Sequence, residues 1–188
     1  MHTVTADRIM FCGLKTSVGV FALAVCLNAT TLLQLSLDEM AQKSTGVVVG
    51  KITATHTAAR GTSVYTFYTV QVIEQWKGVA VAQFDLAVAG GSVGARRQVV
   101  LGAPSLAVGG EYVIYYWTGP SGLTQLLGLS QGLFSILVDG TSNPLLVRPA
   151  AAETMLDRNG NVVQDQTLSL RLADLRNGVK NAIQQAGN

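Results

Sequence analysis

The fold is decided by the stretch "VVVGKITATHTAARGTSVYTFYTVQVIEQWKG", residues 47–78. In its first part, β-branched residues alternate with polar ones. In its last part, Tyr68 and Val70 share one face of an extended chain, while Thr69 and Gln71 share the other. The short polar break A-A-R-G-T separates the two parts. Alternation with a period of two on both sides of such a break predicts a β-hairpin.

Downstream of this hairpin, the same kind of patterning predicts further strands, with turn residues between them. The predicted strands are "AQFDLAVAG" (82–90), "RRQVVLG" (96–102), "EYVIYYWTG" (111–119) and "TQLLGLSQGLFSIL" (124–137). Residues 46–140 therefore hold about six strands and no long helix. We predict a mainly β domain, a small antiparallel OB-like β-barrel, because closure removes the exposed strand edges.

A helix is predicted on each side of this domain. In segment 30–45, Ser36 and Glu39 have the spacing of a capping box, which predicts a short helix over Leu37–Lys43. The C-terminal extension, residues 141–188, carries an amphipathic helical pattern near its end. Its apolar positions are Leu172, Leu175, Val179 and Ala182/Ile183. This stripe either packs across the barrel or docks a partner.

Residues 1–29 have the pattern of a signal peptide. Two basic residues precede "TSVGVFALAVCLNA", an apolar run of the length of a signal core and short for a membrane span. Cleavage after Ala24 or after Ala29 fits this pattern. An uncleaved anchor and lipid attachment at Cys26 are the alternatives. We expect a secreted or periplasmic protein whose mature chain has no transmembrane span.

Composition narrows the class of protein further. The 188 residues are 48% hydrophobic and 13% charged, with a formal net charge of +2. Removing residues 1–29 takes away two basic residues and one acidic residue, which leaves a charge of +1, and it takes away both cysteines. Such a chain depends on its core rather than on disulfides. The scattered basic residues do not predict a nucleic-acid partner.

The stretch "AVAGGSVGARRQVVLGAP", residues 87–104, is the candidate binding segment. Its three glycines, Gly90, Gly91 and Gly94, precede Arg96 and Arg97, the one adjacent basic pair in the chain. A phosphate-binding loop needs Gly-Lys-Ser/Thr followed by a helix, and here a strand is predicted instead. The glycines indicate a connection with positive φ angles or close backbone packing. We expect the two arginines to bind an acidic ligand.

Nothing in the sequence predicts a catalytic centre, a metal site or a cofactor. His56 is the only histidine outside the signal peptide, and no carboxylate cluster accompanies it. Glu74 and Asp85 stand alone on predicted strands. Several serines are available as nucleophiles, and we expect none of them in a G-x-S-x-G elbow. They are Ser63, Ser92, Ser105, Ser121, Ser130 and Ser135.

Five segments carry a resemblance to known proteins. They are "LSLDEMAQKSTGVVVGKI", "YTFYTVQVIEQWKG", "AVAGGSVG", "LGAPSLAVGGEYVIYY" and "LLGLSQGLFSI". Together, over residues 35–138, they resemble a family of secreted bacterial proteins of uncharacterised function. More remotely, a first strand that ends in V-G-K, a second that ends in W-K-G and a later G-E-Y strand are similar to the OB-type barrels of netrin-like modules, including tissue inhibitors of metalloproteinases. Those inhibitors chelate zinc through an N-terminal cysteine, and the expected mature chain has no cysteine. The resemblance therefore implies a barrel and does not imply their inhibitory activity.

Two classes of function remain after these exclusions. The first is an exported, non-enzymatic binding module for an unknown protein or envelope ligand. Aromatic residues on the predicted strands favour this class: Tyr65, Tyr68, Tyr112, Tyr115, Tyr116 and Trp117. The second is a hydrolase, or a protease-associated or inhibitor-like factor, whose site forms only in the fold. A pocket that joins His56 to a serine and a carboxylate would distinguish the second class from the first.

Overall fold

A computed structural model of the protein describes residues 31–187, which form a mainly β structure with two α-helices. The strands are β1 (Thr31–Leu33), β2 (Gly46–Arg60), β3 (Ser63–Lys77), β4 (Gln83–Ala89), β5 (Gly91–Val93), β6 (Arg96–Gln98), β7 (Glu111–Thr118), β8 (Thr124–Leu126), β9 (Leu133–Leu137), β10 (Leu145–Arg148), β11 (Thr154–Leu156), β12 (Val162–Val163) and β13 (Leu168–Arg171). The helices are α1 (Leu37–Lys43) and α2 (Leu172–Ala186). The predicted class, mainly β with a short N-terminal and a C-terminal helix, is confirmed. The predicted signal peptide and both cysteines lie outside the described residues.

Eight strands form the main sheet, in the order β13-β10-β9-β7-β2-β3-β4-β8. The first three strands of the predicted domain, β2, β3 and β4, make the antiparallel meander that the sequence predicts. β8 meets β4 in parallel at Ala87 and Gln125, and it pairs antiparallel with β7 at Leu126 and Tyr116. β7 also pairs with β2. The pairings therefore run from β2 through β3, β4, β8 and β7 back to β2.

The first part of β2, residues 46–50, and residues 112–116 of β7 are buried on both faces, which explains their nearly continuous apolar sequences; from Lys51 onward β2 is mostly exposed. Along β2, Val47 and Val49 enter one core, while Val48 and Ile52 enter another. The first, here called the helix-side core, contains Met40, Ala41, Val47, Val49, Trp76, Val113, Tyr115, Phe134, Leu146, Leu175, Val179 and Ala182. The second, here called the ring core, contains Val48, Ile52, Tyr68, Val70, Leu86, Val88, Leu106, Tyr112, Ile114 and Tyr116.

α1 begins and ends through hydrogen bonds that link it to the rest of the fold. Both bonds of the predicted capping box are present, with Ser36 Oγ accepting from Glu39 N and Glu39 Oε2 accepting from Ser36 N. At the other end, the Nζ atom of Lys77 donates to the carbonyl oxygens of Ala41, Gln42 and Ser44. An ammonium group among three carbonyls satisfies acceptors that the last helical turn leaves free.

α2 follows the predicted stripe, and the molecule itself covers that stripe. Leu175, Val179 and Ala182 are each at most 2% exposed and belong to the helix-side core. α2 packs against α1 and contacts β3 and β13. The apolar face of this helix is therefore used in the core and does not present a docking surface.

The strand predicted over residues 96–102 is wrong in its extent. β6 covers only Arg96–Gln98, and it pairs with β5 in a two-stranded ribbon outside the main sheet. Beyond it the chain turns, with Ala103 N donating to Val100 O and Gly102 at a φ of +78°. Val99, which the alternation pattern counted as a strand residue, is 72% exposed.

The strand predicted over residues 124–137 is broken into β8 and β9 by a 3₁₀ turn, Leu129–Gly132. Leu129 has a φ of +54°, a left-handed value that non-glycine residues adopt rarely. The turn brings in the side chain of Gln131, which is 2% exposed. Its Oε1 accepts from Leu35 N, and its Nε2 donates to Leu33 O. The break therefore anchors the segment between β1 and α1.

Residues 141–188 contribute strands as well as the predicted helix. β10 pairs with β9, and β13 pairs with β10, so both extend the main sheet. β11 pairs with β1 in a separate small sheet. The turn predicted near Asp157 is present, with Asp157 Oδ1 accepting from the backbone N–H groups of Asn159 and Asn161. These strands have two to four residues each, too few to show a clear period in the sequence.

Candidate functional site

The predicted glycine–arginine segment forms a ribbon over one end of the β2–β3 hairpin. β5 and β6 pair antiparallel through a two-residue turn at Gly94 and Ala95. Gly94 has a φ of +55°, which a tight hairpin turn requires. Gly90 and Gly91 also have positive φ values, +108° and +134°. The prediction that these three glycines provide backbone conformation is confirmed, and a strand follows them where a phosphate-binding loop would have a helix.

Side-chain hydrogen bonds hold the ribbon on the hairpin. They run from Thr57 Oγ1 to Ser92 O (2.7 Å), from Thr66 Oγ1 to Gly90 O (2.9 Å) and from Val64 N to Gln98 Oε1 (2.7 Å). A Cβ atom on Gly91 would lie 2.9 Å from Thr66 Oγ1, so the backbone approaches more closely than a side chain permits. The ribbon therefore holds the arginines that follow at a fixed place.

Arg96 and Arg97 are both exposed and point to opposite faces of the ribbon. The NH1 atom of Arg96 lies 3.4 Å from Gly61 O, at the turn of the β2–β3 hairpin. Arg97 lines a groove of about 320 Å³, here called the tip groove. Its other walls come from Thr66, Tyr68, Val88, Ala89, Gly90, Gly91, Ser92, Gln98, Val99, Val100, Ala103, Pro104 and Ser105. The groove thus has walls of mixed polar and apolar character and one guanidinium group.

Three arginines at this end of the molecule have no carboxylate partner among residues 31–187. They are Arg60, Arg96 and Arg97, here called the arginine tip. The other four arginines of the described chain each pair with a carboxylate: Arg148 with Asp165, Arg158 with Glu39, Arg171 with Asp139 and Arg176 with Glu74. Residues 52–73 and 86–110, which surround the tip, contain no aspartate or glutamate. The arginine tip is therefore a local concentration of unpaired positive charge.

His56 lies on the outer face of the hairpin, beside the arginine tip. Its ring stacks on Phe67 with centroids 5.1 Å apart, and the guanidinium carbon of Arg60 lies 5.9 Å from the same ring. His56 is exposed. A stacked, exposed imidazole beside an arginine belongs to a surface patch, and none of the serine-lined cavities includes it.

Most of the strand aromatics are core residues and do not form a binding face. Tyr68, Tyr112, Tyr115 and Tyr116 are each at most 9% exposed. Trp117 is 43% exposed. The aromatic content of the strands therefore gives little support to a binding function.

A second polar cleft, of about 560 Å³, lies beside α1, and ion pairs line it. The guanidinium group of Arg148 makes two hydrogen bonds to Asp165, at 2.8 and 2.9 Å, and both side chains are nearly inaccessible. Glu39 accepts from Ser36 N and from Arg158, and these bonds lower the pKa of its carboxyl to about 2. The charges of this cleft partner one another, which indicates a structural role.

Sequence reasoning missed one motif. The expectation that no serine has the G-x-S-x-G spacing is wrong for two serines: Ser130 is the centre of Gly128-Leu129-Ser130-Gln131-Gly132, and Ser92 is the centre of Gly90-Gly91-Ser92-Val93-Gly94. Ser92 lies in β5, and the strand β6 follows it, so no helix follows this copy of the motif. The motif can be found directly from the spacing of glycine and serine in the sequence. In hydrolases of that type, a helix follows the elbow, whereas here Ser130 lies in a 3₁₀ turn and β9 follows. The spacing is present without its structural context.

Within residues 31–187, no group of three or more histidine, cysteine, aspartate or glutamate side chains could hold a metal ion. In the same range, neither helix is both long and apolar enough to cross a membrane.

Comparison of the chain with protein-family models, with curated proteins and with solved structures finds no match in any of the three.

Proposed function

We propose that β2, β3, β4, β8 and β7 form a small closed barrel of OB type. The sequence of pairings that returns to β2 supports this proposal, as does the parallel contact between β4 and β8. The ring core provides the apolar interior that such a barrel needs. Barrels of this type bind ligands through their faces and connecting loops, and the arginine tip lies on two such connections.

We propose that the protein is an exported, non-enzymatic binding module and that the arginine tip binds an acidic segment of a partner protein. The observation that carries the proposal is that Arg60, Arg96 and Arg97 lack carboxylate partners in a region without acidic residues. Unpaired guanidinium groups recognise carboxylates well because their planar donors match both oxygens. The apolar part of the walls of the tip groove, which includes Val88, Val99 and Val100, favours a segment that also carries hydrophobic side chains.

The location of the partner follows from the predicted signal peptide. We propose that the protein is secreted or periplasmic, so that its partner is a protein of the cell envelope or the exterior, and that lipid attachment at Cys26 is the less favoured alternative. We further propose kinship with the family of secreted bacterial proteins that its motifs resemble.

The hydrolase alternative lacks the arrangement that would favour it. A cleft does bring Ser130 near a carboxylate, Glu153, but His56 is not among its lining residues. Without a base beside the serine, its hydroxyl group is a weak nucleophile. Binding is therefore proposed ahead of hydrolysis.

The experiment is a titration with a short glutamate-rich peptide that carries two leucines, at low and at physiological salt. We expect the double substitution Arg96→Ala/Arg97→Ala to weaken binding about five- to tenfold at low salt and less at high salt, because exposed charge pairs are weak and screened. The matched control is Lys51→Ala/Lys180→Ala, which removes the same charge from other exposed positions. Equal losses of affinity in the two double variants would show that binding depends on the net charge of the protein and not on the arginine tip.

A lysine-rich peptide and a single-stranded DNA oligonucleotide complete the design. We expect no binding of the first peptide. Tighter binding of the DNA than of the acidic peptide would contradict a protein partner, because it would place the phosphate backbone in the role proposed for carboxylates.

A further inference from the structure

A third cavity, here called the serine–glutamate cleft, borders the segment 102–105 and is separate from the cleft beside α1. It has a volume of about 310 Å³ and shares Pro104 and Ser105 with the tip groove. Its lining comes from Gly102, Pro104, Ser105, Tyr112, Ser130, Leu133, Ser135, Pro149, Ala150, Ala151, Ala152 and Glu153. Three distant parts of the chain therefore meet at the cleft.

Three polar atoms at this cleft have no hydrogen-bond partner. They are the two carboxylate oxygens of Glu153 and the hydroxyl oxygen of Ser130, and all three are buried. No lysine or arginine among the described residues forms a salt bridge with Glu153. A buried carboxylate without a partner is destabilising, which makes such a group a candidate for function.

The absence of a side chain at Gly102 leaves room for the carboxylate of Glu153 at this place. Gly102 has a φ of +78°, and a Cβ atom there would lie 1.5 Å from Glu153 Oε1. The carboxylate thus occupies the space that any side chain at position 102 would fill. Glycine at 102 and glutamate at 153 form a matched pair across the cleft.

The remaining walls are mostly apolar. Pro104, Leu133 and Pro149 present hydrocarbon, and the three alanines that follow Pro149 leave the cleft open. A ligand that suits these walls has a short methylene chain with one polar end. The cleft offers three oxygen atoms without a partner, two from Glu153 and one from Ser130, and a primary ammonium group has three donors.

We propose that the serine–glutamate cleft binds a primary alkylammonium group. The Glu153 side chain turns from Gly102 toward the entering ammonium group, and Ser130 accepts the third hydrogen bond. The ammonium group belongs either to a lysine side chain of a polypeptide or to a free amine. This proposal is independent of the arginine tip, because it rests on other residues and on the opposite charge.

The probes are n-butylammonium, its neutral analogue 1-butanol, and Nα-acetyl-lysine methylamide, each titrated into the purified protein and followed by amide NMR. We expect saturable shifts at residues 130 and 153 with butylammonium and none with butanol. Tighter binding of the lysine derivative indicates a polypeptide ligand, and tighter binding of butylammonium indicates a free amine. Equal binding of butanol, or shifts that do not saturate, would overturn the proposal.

The variant Glu153→Gln keeps the shape of the side chain and removes its charge. We expect it to lose at least tenfold in affinity for butylammonium and to melt at a higher temperature than the parent when no amine is present. Asp174→Asn, which changes an exposed carboxylate on α2, is the matched control and should change neither quantity. A lower melting temperature in Glu153→Gln would assign Glu153 a structural partner and overturn the proposal, as would unchanged affinity.

Discussion

The ammonium group of Lys77 ties the end of β3 to the end of α1, and nothing in the local sequence marks it for that role. Its three carbonyl acceptors come from residues 41, 42 and 44, more than thirty positions away. Burial lowers the pKa of Lys77, yet the three acceptors favour its charged form. The W-K-G motif therefore has a structural meaning in this chain: the lysine completes a helix end.

Replacing Lys77 with methionine keeps the length of the side chain and removes its donors. We expect the free energy of unfolding to fall by about 1–3 kcal/mol, because three carbonyl oxygens lose the charged group that donates hydrogen bonds to them. Urea unfolding measures this change. Lys51→Met, on an exposed lysine of β2, is the control and should stay within about 0.5 kcal/mol of the parent. A loss as small as the control's would show that the Lys77 contacts contribute little.

Glu39 gives the fold a dependence on pH at the start of α1. Its carboxyl pKa is lowered to about 2, first by the N–H of Ser36 and next by Arg158. Because the folded state favours the carboxylate, this contribution is complete above the unfolded pKa of about 4.3 and is lost as the pH falls through about 2. We expect Glu39→Gln to be less stable at pH 7 by about 0.3–1 kcal/mol.

Urea unfolding at pH 7 and near pH 2 measures the difference in the free energy of unfolding between Glu39→Gln and the parent. The difference should shrink near pH 2, where the Glu39 carboxylate of the parent is about half protonated and most of its contribution to stability has been lost. A difference that is the same at both pH values would mean that the charge of Glu39 plays no part in stabilising α1.

Gly178 lies inside α2, the longer of the two described helices, and nothing in its packing requires a glycine there. It has an ordinary helical backbone, and no atom lies within 4 Å of the place where a Cβ would be. Since alanine favours a helix over glycine by about 1 kcal/mol, Gly178→Ala should raise the free energy of unfolding by about 0.5–1 kcal/mol. Thermal and urea unfolding measure it. Lower stability would contradict this description of the packing, because it would mean that the added methyl group clashes with a neighbouring atom.

Elements fixed by local chemistry were predictable from the sequence. α1 begins and ends at the predicted residues because a capping box specifies its start. The β2–β3 hairpin follows from alternation. The break between β8 and β9 was not predictable, because it depends on Gln131 bonding to backbone near β1, almost a hundred residues away. β10 and β13 were missed because strands of four residues show no period.

The candidate site also has some features that the sequence predicts and others that only the fold reveals. The three glycines could be predicted to have positive φ values because they stand close together in one connection. Arg60 was not predicted with Arg96 and Arg97, because only the fold brings the β2–β3 turn beneath the ribbon. The pairing of Gly102 with Glu153 joins a loop to a segment fifty residues later, which no spacing rule anticipates.

At the scale of the whole molecule, the proposed barrel depends on the ring of strand pairings that returns to β2. If the ring is closed as proposed, β4 and β8 have no free edge, and their backbone N–H groups exchange as slowly as those of β2. Amide hydrogen exchange followed by NMR checks this expectation. Fast exchange along β8, with slow exchange confined to β2, β3 and β7, would indicate an open sheet and contradict the barrel.

The most direct measurement for the account is a map of where an acidic ligand binds. Amide chemical shifts of the protein, recorded as the glutamate-rich peptide is added at low salt, report contact residue by residue. The account predicts saturable shifts confined to residues 56–68 and 90–105, which carry the arginine tip and its groove, and their loss in Arg96→Ala/Arg97→Ala. Shifts spread over the other basic residues, or centred on the cleft beside α1, would contradict it.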